Sequence, residues 1–301
     1  FLDGNYQFQG NSTAGVTTRG TINTLQGGSV AFIGQTVTNQ GTINTPGGTT
    51  ALGAGSRVDL TLAGNHMLHF AVTKAALKAA VLNGGLIQAN GGGTVILTAN
   101  AQNAALQTVV NDTGVVRAQS VGSQQGHIAL LSEGSGTTRV SGILDASAPS
   151  TGNGGTIETS GEYVQITNGA TITTQAAQGN TGEWVIDPPS SKNLKSTSKK
   201  LNSLAKKNNT TITISQGSTS SPGNGKGNGN PKTTGHGGNT KNKTYTNGNG
   251  NTHGNINGNA NAKKHGDGNG GNGGNGGNPG GNGGGNGGGN GGGNGGGNGG
   301  G

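Results

Sequence analysis

The chain has 301 residues, of which 68 are Gly, none is Cys and 27% are hydrophobic, well below the near-half usual for a globular enzyme of this length. Its formal charge of +8 is unevenly placed: residues 1–186 hold six basic and eight acidic groups, whereas residues 187–301 hold twelve Lys against Asp187 and Asp267. This composition excludes disulfides, thiolate metal sites and cysteine nucleophiles, and the lack of any run of 18 apolar residues excludes a membrane-crossing helix.

The opening FLDGNYQFQG has neither a start Met nor a signal-peptide pattern and reads as part of a longer chain. From residue 18 onward one statement is repeated. A first element of the form N/T-x-G-x-I/V-x-A/T appears as TRGTINT (18–24), NQGTINT (39–45), NGGLIQA (83–89), DTGVVRA (112–118), VSGILDA (140–146) and TNGATIT (167–173). A second element, usually opened by Gly-Gly, follows each: GGSVAFIG (27–34), GGTTALGA (47–54), GGTVILTA (92–99), QGHIALLS (125–132), GGTIETSG (154–161) and TGEWVID (181–187).

Short alternating runs punctuated by Gly, Asn and Thr are strand signals. Anchored on Ile22, Ile43, Ile87, Val116, Ile143 and Ile172, the repeats step by 21, 44, 29, 27 and 29 residues. A unit of this size with two or three strands is too short for a sheet domain. It fits one coil of a parallel β-helix, with those six residues pointing inward and Gly and Asn at the turns. Near-verbatim repetition in parallel registration argues against a β-sandwich. The step of 44 contains an irregular coil or an insertion, and VTKAALKAAVL (72–82) inside it suits either a helical turn or a strand pair.

Residues 1–187 therefore form the expected β-helix, and 188–217 a Lys-rich connector with a final strand. From Gly217 to the end the apolar side chains are Tyr245, Ile256, Ala260 and Ala262. Burying so few cannot offset the entropy of ordering the segment, so 218–301 reads as a low-complexity Gly/Asn/Lys linker. The six lysines from Lys226 to Lys264 would give weak, salt-sensitive contact with polyanions. They lack the aromatic interleaving that stacks bases, so no specific nucleic acid is expected.

A β-helix can also carry carbohydrate-active chemistry, which needs clustered carboxylates. Asp3, Asp59, Asp112, Glu133, Asp145, Glu158, Glu162 and Glu183 are scattered, with Glu158 and Glu162 close in sequence. Asp112 and Asp145 fall at analogous places one repeat apart and read as a stacked pair of solvated carboxylates. His66 and His69 in HMLH have a helical metal spacing in a strand-like context with no third ligand nearby. GNGGNGG lacks the strand before it and the Gly-Lys-Ser/Thr after it that a phosphate loop requires. Sequons stand at Asn11, Asn111, Asn208, Asn209 and Asn242. No residue is assigned as catalytic, cofactor-binding or metal-binding, and no cofactor is expected.

The order of these elements carries a resemblance. The run FLDGNYQFQG…VTTRGTINTLQGGSVAFIGQTVTNQGTINTPGGTTALGAGSRVDLTL, with GILDAS…GNGGTIETSGEYVQI…GEWVIDP and LNSLAKKNNTTITISQG, resembles the filamentous haemagglutinin-like exoproteins of bacterial two-partner secretion, including their high-molecular-weight adhesins. It covers residues 1 to about 217. In that family a W-x-I-D-P element, here Trp184 to Pro188, closes a block of the β-helix. The resemblance implies a right-handed β-helix, export through an outer-membrane transporter barrel, a secreted or cell-surface location, and adhesion to a host-cell surface or glycan receptor. Residues 1 to about 100 resemble the later part of the secretion domain, whose N-terminal recognition motif does not appear. The expectation is a non-enzymatic adhesin fragment. Its rivals are a carbohydrate-active β-helix enzyme, the stalk of a contact-dependent toxin, and a purely structural or artificial sequence.

Overall fold

Parallel strands lie about 4.8 Å apart, so a chain that repeats itself can stack each strand on its own counterpart, residue upon matching residue. The computed structural model, which describes residues 4–63, 66–103, 107–208, 210–215 and 243–245, is built this way. It is mostly β, with parallel ladders that the repeats up to Glu183–Asp187 visit in one order.

The first ladder runs through Gly15–Thr18, Thr36–Asn39, Ala80–Asn83, Thr108–Asp112 and the later halves of His127–Val140 and Thr156–Ile166. The second is six-stranded: Thr21–Asn23, Thr42–Asn44, Leu86–Gln88, Val115–Arg117, Ile143–Asp145 and Thr171–Thr173. The third joins Ser29–Gly34, Thr49–Ala54, Thr94–Gln102, the earlier halves of the two long strands, Glu183–Asp187 and Thr211–Ile214. The first and second elements of the sequence repeat are the second and third ladders. The first ladder, in which Val37 is fully buried, carries no repeat motif of its own.

Register places like on like. In the second ladder Ile43, Ile87, Val116, Leu144 and Ile172 form a fully buried column. In the third, Thr50, Val95, Ile128, Ile157, Trp184 and Ile212 form another, and Leu52, Leu97, Leu130, Thr159, Ile186 and Ile214 a third. Each buried aliphatic contributes roughly 1.5–3 kcal/mol, so a narrow core needs few of them per repeat. The Trp184 indole N–H donates to Thr159 Oγ1 at 3.1 Å, which satisfies the one polar atom of the largest buried side chain.

Two expected inward residues differ. Leu144, not Ile143, pairs with Val116 and is buried; Ile143 pairs with Val115 and is half-buried. Two aliphatics stand side by side there, so hydrophobicity alone does not fix the register. Gly142 does, because it sits directly against Gly114. Ile22 is half-buried because its strand ends the ladder.

The 44-residue step is an insertion, because Ile43 pairs directly with Ile87. Arg57–Ala63 and His66–Lys74 leave the ladders as an antiparallel hairpin, and Asn5–Gln9 adds to it as a third strand. Tyr6, Leu60, Phe70 and Val72 of this sheet pack against Ala31, Ala51, Ile33 and Ile96 on the outer side of the third ladder. Its early strands are therefore apolar on both faces. The 72–82 stretch takes the strand form, with Ala76–Leu77 and Ala80–Asn83 joined through Lys78 at φ 58°.

The connector is more ordered than its lysine content implies. Ser198–Lys207 is an α-helix, unanticipated from the sequence, capped by Thr197, whose side chain accepts from Lys200 N. Leu201, Leu204 and Ala205 at i, i+3, i+4 bury its apolar side in the main core. Thr211–Ile214 supplies the expected final strand, and Lys243–Tyr245, from the segment read as linker, pairs antiparallel with it. The rest of 218–301 lies outside the described residues.

Glycine sets the limit on stacking. A Cβ on Gly41, Gly85, Gly114 or Gly142 would lie 2.1–2.2 Å from the carbonyl oxygen of the glycine one repeat earlier. These glycines serve close backbone approach. The left-handed backbone anticipated at turns is found instead at Gly27, Gly47 and Gly92 (φ 77°, 59° and 78°). Gly20, at the end of the column, meets nothing within 4 Å. Gly114→Ala should therefore destabilise the fold by about 1–3 kcal/mol or more, whereas Gly20→Ala should stay within about 0.5 kcal/mol of the parent. Urea unfolding followed by Trp184 fluorescence measures both; equal effects would contradict the close-approach account.

Candidate functional site

Among the described residues the acidic side chains do not converge, and Asp3 lies outside them. Asp112 lies on the first ladder opposite Val140 and is fully buried, whereas Asp145 lies on the second opposite Arg117. The expected solvated pair is not formed, because the alternation that points Asp145 outward points Asp112 inward. Asp145 is held from several sides: Arg117 Nε is 3.7 Å from Oδ2, Gln119 Nε2 donates to Oδ2 at 2.9 Å, and the Ser147 N–H and hydroxyl both donate to Oδ1.

Asp112 ends a buried polar column. Asn39 Nδ2 donates to Asn83 Oδ1 and Asn83 Nδ2 donates to Asp112 Oδ1, each at 2.8 Å. Asn39 Oδ1 in turn accepts from Gly41 N at 3.1 Å. These are the first positions of the sequence motif N/T-x-G, so the signal was present, but nothing in the motif said that they face inward. The next members of the column, Val140 and Ile166, offer no donor, and Asp112 Oδ2 is buried without a partner. Burial pushes the Asp112 carboxyl up to about 7, against the Asn83 hydrogen bond and the Gly114 amide. Arg139 and Arg117 stand on outward positions and face Asn111 and Asp145.

The other candidates lie apart. His66 and His69 are exposed on the inserted hairpin, opposite Ala63 and Thr61. Arg57 grips Asp59 at 3.1 Å and lowers its pKa. Burial lowers the pKa of His127, opposed by Glu158, and its Nδ1 lies 2.7 Å from Thr156 Oγ1. Glu158 accepts from Ser160 and Glu162 from Asn193. Among the described residues no three His, Asp or Glu side chains group as metal ligands. Of the sequons, Asn11 is exposed, Asn111 half-buried and Asn208 buried; Asn209 and Asn242 lie outside the described residues.

The outer side of the third ladder carries an open polar groove of about 530 Å³, lined in part by Gln125, Asn153, Thr156, Asn180, Glu183 and Thr213. Thr213 Oγ1 donates to Glu183, and Asn153 Oδ1 accepts from Asn180 N. The groove offers hydrogen-bond donors and acceptors from several neighbouring repeats. No family model and no curated protein matches the chain.

The Asp112 column makes stability depend on pH. The folded carboxyl titrates near 7 and the unfolded one near 3.8, so the folded state holds a proton that the unfolded state has lost between these values. Stability from this group is fully present below about 3.8 and declines as pH rises to about 7, by on the order of 4 kcal/mol. Asp112→Asn should flatten that decline and be more stable than the parent at pH 8. Paired denaturation series from pH 4 to 8 check this, and profiles of the same slope would contradict it.

Proposed function

We propose that this chain is a stalk segment of an exported bacterial surface adhesin, folded as a right-handed parallel β-helix and without catalytic activity. The observation that supports it best is the residue-for-residue stacking of repeats in parallel ladders. Such a scaffold needs no closed active site and presents its outward positions in regular rows. Right-handedness follows the general preference of crossovers between parallel strands.

The resemblance to two-partner exoproteins supplies the context: passage through a transporter barrel, then display at the cell surface to a host receptor or glycan. The physical chemistry agrees with such a route. A chain without Cys cannot close disulfide loops before it passes a narrow pore. Each repeat that emerges finds its hydrogen-bonding template in the one already folded. The dispersed carboxylates favour a binding scaffold over a glycosidase or lyase.

Particles coated with the folded chain should adhere to cultured epithelial cells or extracellular matrix several-fold more than particles carrying urea-unfolded chain. Incubation with pectin or hyaluronan should release no products. Equal adhesion by both forms, or product release that Asp145→Asn abolishes, would overturn the proposal.

A further inference from the structure

An Asn-Gly pair can cyclise when the glycine nitrogen reaches the asparagine Cγ, which the missing Cβ permits. A hydrogen bond donated by that nitrogen opposes the step, because it must be given up first. Four such pairs lie among the described residues: Asn83–Gly84, Asn90–Gly91, Asn153–Gly154 and Asn168–Gly169. Stacking protects the first three. Gly84 N donates to Asn39 O, Gly91 N to Gln119 O and Gly154 N to Asn180 O, each at 2.9 Å and each to a neighbouring repeat. Their side chains are held as well: Asn83 by Asn39 and Asp112, Asn90 Oδ1 by Gln119 N, and Asn153 Oδ1 by Asn180 N.

Asn168–Gly169 escapes through the length of its corner. Between the first and second ladders the earlier corners take two residues each: 19–20, 40–41, 84–85, 113–114 and 141–142. The last corner takes four, 167–170, between Thr156–Ile166 and Thr171–Thr173. The chain on either side still follows the stack, with Thr167 N donating to Val140 O and Thr171 N to Gly142 O. Asn168 and Gly169 are the surplus. They form the exposed tip of a turn that Ala170 N closes on Thr167 O at 3.3 Å. Among the described residues, neither the Gly169 N–H nor the Asn168 side-chain amide has a hydrogen-bond partner. The peptide joining the pair is trans, so its N–H points away from its carbonyl, and that carbonyl oxygen accepts from Lys200 Nζ at 2.8 Å.

We infer that Asn168 is a deamidation site of the folded chain and that Lys200 steers the product. Gly169 N bonds to Asn168 Cγ, the Cγ–Nδ2 bond breaks, and ammonia leaves with the proton that Gly169 gives up. Water then opens the cyclic imide. Attack at Cγ yields aspartate; attack at the Asn168 carbonyl carbon yields isoaspartate, whose new carboxylate contains the oxygen that Lys200 already holds. The Lys200 ammonium draws electrons from that carbonyl and pairs with the charge that develops on it, which favours isoaspartate. Either product adds one negative charge at the tip. The longer isoaspartyl backbone falls in the surplus pair, so the ladders keep their register. The inference does not depend on the proposed export or on adhesion to cells.

The test ages the full chain in mildly alkaline buffer, folded and in urea. Peptide maps then score the mass gain of deamidation, and an isoaspartyl methyltransferase reads isoaspartate. In the folded chain Asn168 should react at least tenfold faster than Asn83, Asn90 and Asn153. In urea the four should react within about threefold of one another, because the shared dipeptide then sets the rate. Lys200→Gln should lower the isoaspartate share at residue 168 of the folded chain to its value in urea, with the rate of ammonia loss changed less than twofold. Equal rates at the four folded pairs, or Asn168 still intact in folded chain when the unfolded chain has converted, would overturn the site. A parent-like isoaspartate share in the Lys200→Gln chain would overturn the role of Lys200.

Discussion

The structure depends on how closely one stretch of backbone can lie against its counterpart in the next repeat. Ladder hydrogen bonds hold strands about 4.8 Å apart, and at the entry to the second ladder the glycine backbones meet with no room for a Cβ. Whatever residue occupies a register position in one repeat is then stacked on its equivalents. Core, polar columns and outer rows all follow from that repetition.

Inside, the constraint rewards residues that tolerate their own kind. Aliphatics stack into dry columns, and Asn39 and Asn83 chain their amides because each offers both donor and acceptor. The next positions, Val140 and Ile166, offer no partner, so Asp112 ends the chain and leaves one oxygen unmatched. Outside, the same positions are free to differ. The hairpin at 57–74 covers the early outward strands, the polar groove lines later ones, and the Lys-bearing helix caps the run near its final strand. In such a stack the inward rows specify the fold, while the outward rows vary without disturbing it.

Much of this was legible in the sequence because the constraint writes itself as repetition. The Gly-Gly pairs and Ile43, Ile87 and Val116 marked ladders and inward faces correctly. Where two aliphatics adjoin, as at Ile143 and Leu144, polarity carries no register. The first ladder carries no repeat motif because its inward column changes chemistry from Val110 to Thr138 and from Asp112 to Val140. The helix at 198–207 is hidden in the sequence for another reason. Its apolar stripe is three residues wide among lysines, and it gains its order by docking on the core.

Engineered cysteines in this cysteine-free chain test the stacking most directly. Asn44 and Gln88 are 44 residues apart in sequence but paired across the second ladder, whereas Leu86 is paired with Thr42. Adjacent Cα atoms at ladder spacing fall within disulfide reach, and a stagger of two residues does not. Under mild oxidation Asn44→Cys/Gln88→Cys should lose its free thiols to an intramolecular bridge while Asn44→Cys/Leu86→Cys keeps them. Equal oxidation of the two pairs, or a bridge formed only by the staggered one, would contradict the residue-for-residue stack.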